Sequence, residues 1–193
     1  ISVAFQVERG SYSEAAALAY FGAGIRTVPC ESFDRVFELV EASGCDYGLV
    51  PIENSLAGSI HRNYDLLMRH ALHIIGEYTL RVRHCLIGLP GAKIDDIRHV
   101  TSHPQALTQC EGYLKRHELP SSAVYDTAGS VKMIKEKRIL DGAAIASARA
   151  ADIYDMKIIA REIEDNPRNF TRFFVISRQD IAPTGKDKTS IVF

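Results

Sequence analysis

The sequence predicts an α/β protein with two lobes, each a mixed and mostly parallel sheet flanked by helices. Short runs of β-branched and aromatic residues alternate with stretches whose apolar residues recur at helical spacing, a pattern typical of parallel sheets. Between residues 73 and 89 this alternation gives way to a long β-rich region without helix signals. Such a region suits a chain that passes from one lobe into the next. The 193 residues, 46% of them hydrophobic, are enough for one large or two small domains.

The first lobe is predicted from the N-terminal elements. In chain order these are a strand over 2–5, a helix from about 13 to 22, a strand over 27–29, a helix after Ser32, a strand over 47–52 and a helix over 60–70. Ser11 and Glu14 have the spacing of a capping box, and Ser59 is the predicted cap of the helix over 60–70.

The second lobe is predicted from a later series of the same kind. Strands are expected over 99–102, 123–125, 143–146 and 157–160, with helices that begin near Pro104, after Gly129 and after Ser147. A final strand starts at Thr171. The chain therefore crosses between the lobes twice, near residues 75–79 and near Asn169. Lobe 1 comprises residues 1–76 with 171–183, and lobe 2 comprises residues 77–170.

Composition narrows the classes of function. A formal net charge of −1 argues against nucleic-acid binding, and no apolar run is long enough to cross a bilayer. The N-terminus opens directly on a strand, with no pattern of a signal peptide. The cysteines, which form no CxxC motif, suit reduced thiols: Cys30, Cys45, Cys85 and Cys110. We expect a cytoplasmic protein that binds a small molecule.

Signals for cofactors and metals are missing from the sequence. Gly22-Ala23-Gly24 follows a helix rather than a strand and has no third glycine at the right place, so it does not form a dinucleotide loop. There is no phosphate loop and no HExxH motif, and the histidines show no metal spacing. The sequence therefore predicts neither a cofactor nor a metal.

Small polar residues recur where predicted strands lead into helices. Singly, each is most simply a helix cap. Because the carboxyl ends of parallel strands share one edge of a sheet, the junctions together surround one opening. Helix N-termini favour negative charge, so the opening suits a small polyanion such as a dicarboxylate. The junction residues are Ser11, Ser13, Asn54, Ser55, Ser102, Gln105, Asp126, Thr127 and Ser147.

The start of the last strand carries a concentration of functional groups. Asn169, Thr171 and Arg172 bring an amide, a hydroxyl and a guanidinium to a stiff strand end on the predicted hinge, facing the cleft. On these residues alone, a strand start that happens to be polar is the simpler interpretation. The guanidinium of Arg172 suits a substrate carboxylate, and it could equally brace the hinge by pairing with Glu53 or another acid.

The chain resembles the catalytic part of prephenate dehydratases along essentially its whole length. Several ordered motifs at matching spacing carry this resemblance. One departure is Val7, where the family commonly has glycine, so we expect the backbone of that turn to differ. The matching segments are Val3-Ala4-Phe5-Gln6, Gly10-Ser11-Tyr12-Ser13-Glu14, Val50-Pro51-Ile52-Glu53-Asn54-Ser55, Ser102-His103-Pro104-Gln105-Ala106-Leu107, Asp126-Thr127-Ala128, Ala144-Ile145-Ala146-Ser147 and Asn169-Phe170-Thr171-Arg172-Phe173.

The resemblance implies lobes like those of periplasmic binding proteins of type II, with an active site in the cleft between them. It implies the conversion of prephenate to phenylpyruvate in phenylalanine biosynthesis. Residues 54–67 are also similar to arogenate dehydratases, which use the amino-acid analogue. Family members usually form dimers or tetramers and carry a C-terminal ACT domain that binds phenylalanine. Residues 184–193 resemble the start of that domain, with its first strand at 189–193, so phenylalanine would act only through its missing remainder.

The resemblance also assigns roles to single residues. Thr171 is the catalytic residue, whose hydroxyl would donate a strong positioned hydrogen bond to the leaving hydroxide. The substrate-binding residues are Ser11, Asn54, Ser55, Gln105, Thr127, Ala128, Ser147, Asn169, Arg172 and Phe173. Two alternatives stay open: an arogenate dehydratase, and a non-catalytic module that closes on a carboxylate or an amino acid, which two lobes and a hinge suit equally well.

Overall fold

A computed structural model describes residues 1–185, 187–189 and 191. Two sheets lie side by side and are joined by two passages of the chain. The elements of the first sheet and its helices are β1 (Ser2–Gln6), α1 (Tyr12–Phe21), β2 (Arg26–Cys30), α2 (Phe33–Glu41), β3 (Tyr47–Asn54), β4 (Gly58–Ser59), α3 (His61–Arg69), β5 (His73–Arg81) and the last strand, β11 (Phe170–Ser177).

The second sheet and its helices occupy the chain between β5 and β11. In order they are β6 (Cys85–Gly88), a 3₁₀ turn (Ile94–Asp96), β7 (His99–Ser102), α4 (Pro104–Gln109), α5 (Glu111–Arg116), β8 (Ser121–Ala123), α6 (Thr127–Lys137), β9 (Gly142–Ala146), α7 (Ala148–Ile153) and β10 (Lys157–Arg161).

Each sheet combines a parallel set of strands with antiparallel additions. The first has the order β2-β1-β3-β11-β5, in which β1 runs parallel to β2 and β3, while β11 runs antiparallel to β3 and β5. The second has the order β10-β6-β9-β7-β8, in which β7 runs parallel to β8 and β9, while β6 is antiparallel to β9 and β10. The predicted mixed α/β architecture is confirmed.

The parallel share is smaller than predicted, because the strands at the two passages run antiparallel to their neighbours. The first passage lies at 82–84, later than the predicted 75–79, since β5 stays paired with β11 along its whole length. The return passage lies at 162–169. The division into lobes at 76/77 and at 170/171 stays a prediction.

Both faces of each sheet are covered by apolar side chains. Along β11, Phe174 packs with α2 on one face, whereas Phe173 packs with α1 on the other. In the second sheet, Ile87 of β6 packs against α6, whereas Leu86 packs toward α4 and α5. This two-sided burial explains why these strands have near-continuous apolar sequences.

Three local predictions differ from the structure: the start of the helix after Gly129, the strand over 123–125 and the cap at Ser59. Asp126 caps α6 by accepting from the backbone N–H groups of Ala128 and Gly129, so that helix begins before Gly129, and β8 ends at Ala123. Ser59 belongs to β4 and does not cap α3, whose first turn has no side-chain cap. The predicted strand over 189–193 falls in part outside the described residues, which do not include 190, 192 and 193.

An ion pair with a buried carboxylate joins the lobes. Glu14 of α1 accepts from Arg149 of α7 at 2.9 Å, from the backbone N–H of Gly10 at 2.8 Å and from the hydroxyl of Thr27 at 2.9 Å. Burial favours the protonated carboxyl, but the hydrogen bonds from Arg149, Gly10 and Thr27 together hold the pKa of Glu14 below its usual value. The predicted cap is present too, because the Ser11 hydroxyl accepts from the Glu14 backbone N–H.

Candidate active site

A small polar cavity of about 110 Å³ lies between the two sheets. Its wall on the first sheet includes Tyr12, Asn54 and Thr171. On the other side it is lined by His84, His103, Gln105, Gln109 and Thr127. The cavity therefore brings together residues that are distant in the sequence.

Thr171 sits directly opposite Asn54 in the ladder between β11 and β3. The side-chain amide of Asn54 donates to the Thr171 hydroxyl oxygen, with 3.0 Å between Nδ2 and Oγ1. Because that oxygen is used as an acceptor, the hydroxyl hydrogen stays available for an acceptor inside the cavity. Two paired strands fix this geometry, so it does not depend on a loop.

Backbone groups fix the orientation of the Asn54 amide. Its Oδ1 accepts from the N–H groups of Leu56 and Ala57 at 3.1 and 3.0 Å, so its Nδ2 must point the other way. Nδ2 then donates to Asn169 Oδ1 at 2.8 Å, and Asn169 Nδ2 donates to Gln109 Oε1 at 2.9 Å. A directed row of amides thus runs from the first sheet into the second.

The row of amides ends at a buried histidine. His84 Nε2 lies 2.8 Å from Gln109 Oε1, which already accepts from Asn169, so Nε2 must carry a hydrogen. His84 Nδ1 lies 2.7 Å from the hydroxyl of Tyr12. Burial lowers the pKa of His84, against the opposing effects of its hydrogen bond to Gln109 and of the nearby Glu164 carboxylate. Burial also raises the pKa of Tyr12 well above its usual value.

The N-terminus of α4 contributes two further groups. His103 Nδ1 accepts from the backbone N–H of Gln105, so the residue caps α4 while its ring also lines the cavity. Gln105 Nε2 lies 3.5 Å from Asn54 Oδ1, across the gap between the lobes. Thr127, at the first position of α6, completes this side. Of the predicted site residues, Asn54, Gln105, Thr127 and Thr171 therefore line one cavity, with Asn169 directly behind it.

Five predicted contact residues have their side chains engaged elsewhere and do not line this cavity, so their role in substrate binding stays a prediction. Ser55 donates to the Arg168 carbonyl and accepts from the Phe170 N–H, so it pins the loop before β11. The Ser11 hydroxyl caps α1, and Ser147 donates to the Gly10 carbonyl at 2.6 Å. The side chains of two more are buried in the cores: Ala128 and Phe173.

Arg172 lies on the face of β11 opposite Thr171, because side chains alternate along a strand. Its guanidinium is 3.3 Å from Glu53 and 3.7 Å from Glu77, and it sits over the ring of Phe174 at 5.4 Å. Of the two roles left open by the sequence, the structure shows the brace. The expected pairing of Arg172 with a substrate carboxylate stays a prediction, although the side chain points away from this cavity.

Sequence reasoning missed Tyr12, His84 and Gln109 as parts of the site. Gln109 lies one helical turn after Gln105, so the spacing of four residues could have indicated it. Tyr12 directly follows Ser11, a predicted helix cap at one of the strand-to-helix junctions, and this position could have indicated it. His84 had no local signal, because its position depends on the passage between the sheets.

A larger, mostly apolar cavity of about 570 Å³ also opens between the lobes. Its lining includes the carboxylates of Glu8, Glu31 and Asp126. Acidic groups repel a dianion, so the smaller polar cavity suits a polyanionic ligand better. The turn at Val7 lines this larger cavity and has φ of +73°, the conformation that a glycine favours.

The described part of the chain offers no evident site for a metal ion and no membrane-spanning helix. In that part, no group of three or more histidine, cysteine, aspartate or glutamate residues is placed to hold a metal ion. No helix within it is both long and apolar enough to cross a membrane.

In sequence, the chain is similar to prephenate and arogenate dehydratases. The sequence profile of the family described as prephenate dehydratase matches residues 3–181. Over 195 residues the chain is 51% identical to arogenate dehydratase/prephenate dehydratase 2, chloroplastic, of Arabidopsis thaliana, and over 196 residues it is 50% identical to arogenate dehydratase 2 of Petunia hybrida. Both matches cover the whole chain, whereas it spans about half the length of these curated relatives (51% and 49%).

Solved structures agree in fold. Prephenate dehydratase from Arthrobacter aurescens, in complex with L-Phe, superposes with a TM-score of 0.88 at 28% identity, over 98% of this chain and 63% of that one. A protein described as GqqA, a novel type of quorum quenching acylase, gives a TM-score of 0.87 at 35% identity, over 94% of this chain and 66% of that one.

Proposed function

Because the chain belongs to the prephenate dehydratase family, we propose that it is a hydro-lyase that converts prephenate to phenylpyruvate with loss of water and carbon dioxide. The reaction belongs to phenylalanine biosynthesis. The observation that carries the proposal is the hydroxyl of Thr171, held by Asn54 on a neighbouring strand and free to donate into a polar cavity between the lobes.

The reaction requires a hydrogen-bond donor for the leaving oxygen and polar partners for two carboxylates, and this cavity contains such groups. Prephenate is a dianion whose ring hydroxyl leaves as the ring carboxylate departs as carbon dioxide, and aromatisation drives the step. Hydroxide is a poor leaving group, so a donor must be aimed at that oxygen. Thr171 supplies a positioned hydrogen bond, and the amides of Gln105 and Gln109 offer donors to the carboxylates. Closure of the lobes removes water from the ring carboxylate, which favours decarboxylation.

Turnover of prephenate tests the proposal directly. We expect the purified chain to form phenylpyruvate from prephenate at neutral pH, well above a control without enzyme. That control is essential, because prephenate loses its carboxylate unaided in acid. Binding of prephenate without turnover would instead favour the non-catalytic module.

Arogenate is the second candidate substrate. The Petunia relative described above is named arogenate dehydratase, the Arabidopsis relative carries the names of both activities, and each is about half identical to this chain. Arogenate differs from prephenate by an ammonium group in place of the keto oxygen. We expect parallel assays, with phenylalanine and phenylpyruvate as products, to rank the two substrates by kcat/KM.

Assembly, regulation and compartment complete the proposal. A homodimer or homotetramer is expected from the family, and phenylalanine control is expected to need an ACT domain. Residues 1–193 alone should therefore show little inhibition by phenylalanine. The cytoplasmic location stays a prediction beside the chloroplastic relative, and the buried free thiols suit any reducing compartment.

A further inference from the structure

The hydroxyl of Tyr12 reaches across the gap between the lobes. Tyr12 is the first residue of α1, which packs on the first sheet, yet its Oη lies 3.0 Å from the Arg83 carbonyl and 2.7 Å from His84 Nδ1 in the passage to the second sheet. The two rings meet edge to face at 5.5 Å. Both side chains line the same small cavity as Thr171.

The hydrogen bonds of this pair are complete in only one protonation state. The row of amides requires a hydrogen on His84 Nε2, so the neutral ring has a bare Nδ1. One hydroxyl hydrogen on Tyr12 cannot be donated to both His84 Nδ1 and the Arg83 carbonyl. When both ring nitrogens are protonated, Nδ1–H donates to Tyr12 and Tyr12 donates to the carbonyl. The geometry thus provides a line along which a proton passes between His84 and Tyr12.

We propose that Tyr12 is the catalytic acid that protonates the leaving hydroxide, with His84 as the positioning residue that resupplies its proton; the inference rests on the proposed function. As the C–O bond breaks, its electron pair leaves with the oxygen, which takes the hydroxyl hydrogen of Tyr12. The C–C bond to the ring carboxylate breaks, its pair enters the ring, and carbon dioxide departs. Tyr12 regains a proton from His84 Nδ1, and water leaves. Thr171 holds the leaving oxygen in place.

The charged and titratable groups around His84 bear on this role. Glu164, from the return passage, accepts from the His84 backbone N–H at 2.9 Å, and Arg81 of β5 lies 3.8 Å from its other oxygen, Oε1. The Glu164 charge favours the imidazolium, while burial opposes it. The thiols of Cys85 and Cys110 also lie nearby, and together with Glu164 they raise the pKa of Tyr12 further. The ring of His103 lies in the cavity wall. A bound dianion adds further stabilisation of the imidazolium.

Tyr12→Phe tests the acid, with Tyr154→Phe as a matched control. Tyr154 also donates its hydroxyl across the lobes, to the Arg9 carbonyl at 3.3 Å, but it lies outside this cavity. We expect Tyr12→Phe to lower kcat by about a hundredfold or more with a small change in KM, the loss typical of a general acid. Tyr154→Phe should keep kcat within about threefold.

His84→Gln tests the proton supply through the pH profile. Glutamine can still donate to Gln109 but cannot deliver a proton. Because burial lowers the pKa of His84 and its protonated form is required, wild-type kcat should begin to fall with rising pH on the acid side of the usual histidine pKa and should keep falling through neutral pH. In His84→Gln we expect a lower kcat whose fall with pH is lost. A purely structural role would lower kcat without changing the profile.

The outcomes separate this inference from the proposed function. If the wild type turns over neither prephenate nor arogenate, the proposed function fails and the inference fails with it. If the wild type is active, the inference alone is overturned by a Tyr12→Phe variant with wild-type kcat, by equal losses in Tyr154→Phe, or by an unchanged pH profile in His84→Gln. Should Tyr12→Phe not fold, 3-fluorotyrosine at position 12 keeps the shape but makes the hydroxyl more acidic, so kcat should change, and a wild-type kcat would reject the inference.

Discussion

At the scale of single residues, Thr171 depends on its strand partner more than on its own chemistry. Its oxygen accepts from Asn54 at 3.0 Å, and Asn54 is in turn oriented by two backbone N–H groups. The hydroxyl hydrogen is therefore available to the cavity before substrate arrives. A donor that needs no reorganisation is worth more to a transition state than a mobile one.

Thr171→Val should lower kcat by roughly a hundred- to a thousandfold, the usual loss for one positioned donor. Valine keeps the shape and the β-branched backbone preference, so folding should be retained. Steady-state kinetics with prephenate measure the effect, and circular dichroism checks the fold. Thr108→Val is the control, since Thr108 is exposed on α4 and bonds only its own helix. Wild-type turnover in Thr171→Val would refute the assignment.

Val7 is a residue at which the backbone is strained. Its φ of +73° is unfavourable for a β-branched side chain by roughly 1–2 kcal/mol. The turn has a conformation typical of glycine, and the expectation that its backbone differs from that of the family stays a prediction. The backbone N–H of Val7 still bonds to the Cys30 carbonyl at 2.8 Å, which holds the turn in place.

Val7→Gly should raise the free energy of unfolding by about 0.5–1 kcal/mol, because the relieved strain exceeds the entropy that glycine adds to the unfolded chain. Urea unfolding followed by circular dichroism measures the change. Val28→Gly, in the middle of β2, should instead destabilise the protein. A loss of stability in Val7→Gly comparable to that in Val28→Gly would mean that the valine side chain contributes more than the strain costs.

At the scale of elements, β11 separates two functions onto its two faces. Thr171 and Phe173 face α1, whereas Arg172 and Phe174 face the other way. The sequence placed an amide, a hydroxyl and a guanidinium together on the strand, and alternation then divides them. The sequence already implied that neighbouring side chains of this strand point to opposite faces. Which face borders the cavity, and so where Arg172 lies, required the structure.

Arg172→Met should leave KM for prephenate within about threefold. The variant should cost about 0.5 kcal/mol of stability, a typical value for partly exposed ion pairs such as those with Glu53 and Glu77. Substrate titrations and urea unfolding provide the two measurements. A KM raised tenfold or more would restore the carboxylate-binding role of Arg172.

At the scale of the whole molecule, the two lobes are held by specific polar contacts at several points. The Glu14–Arg149 pair, the Ser147–Gly10 hydrogen bond and the row of amides all bridge them. Closely packed backbones accompany these contacts, since a Cβ added at Gly10 would come within 2.8 Å of Ala150 Cα. The small cavity therefore exists only while the lobes stay together.

Glu14→Gln should lower the free energy of unfolding at pH 7 by roughly 2–3 kcal/mol, because the buried side chain at position 14 would no longer carry the negative charge that pairs with Arg149. The folded pKa of Glu14 lies below the unfolded value of 4.5, so its contribution is present above pH 4.5 and is lost as the pH falls through the folded pKa. The difference between wild type and variant should thus shrink in acid. Glu111→Gln, in the exposed Lys115 pair, should cost under about 0.5 kcal/mol at any pH. A difference for Glu14→Gln that stays constant down to pH 3 would contradict this account.

Much of the architecture followed from local patterns, while the site needed contacts between distant segments. Strand and helix alternation predicted both sheets, and the strand-to-helix junctions supplied Asn54, Gln105 and Thr127, which line one cavity with Thr171 of the last strand. A position at a strand-to-helix junction did not distinguish hydroxyls that cap helices, such as that of Ser147, from groups free to bind a ligand. His84 escaped prediction because its role arises from where the chain changes sheets.

The row of amides has a single direction, set by two peptide hydrogens at Leu56 and Ala57. Replacing one nitrogen by oxygen, as in Asn54→Asp, should reverse it: Asn169 and Gln109 would each rotate by half a turn, and the neutral His84 ring would exchange its Nε2–H tautomer for the Nδ1–H tautomer. Nitrogen-15 chemical shifts of the imidazole would report the switch, and an unaltered tautomer would show that the amides turn independently. A single atom in one half of the protein thus sets the polarity of a ring in the other.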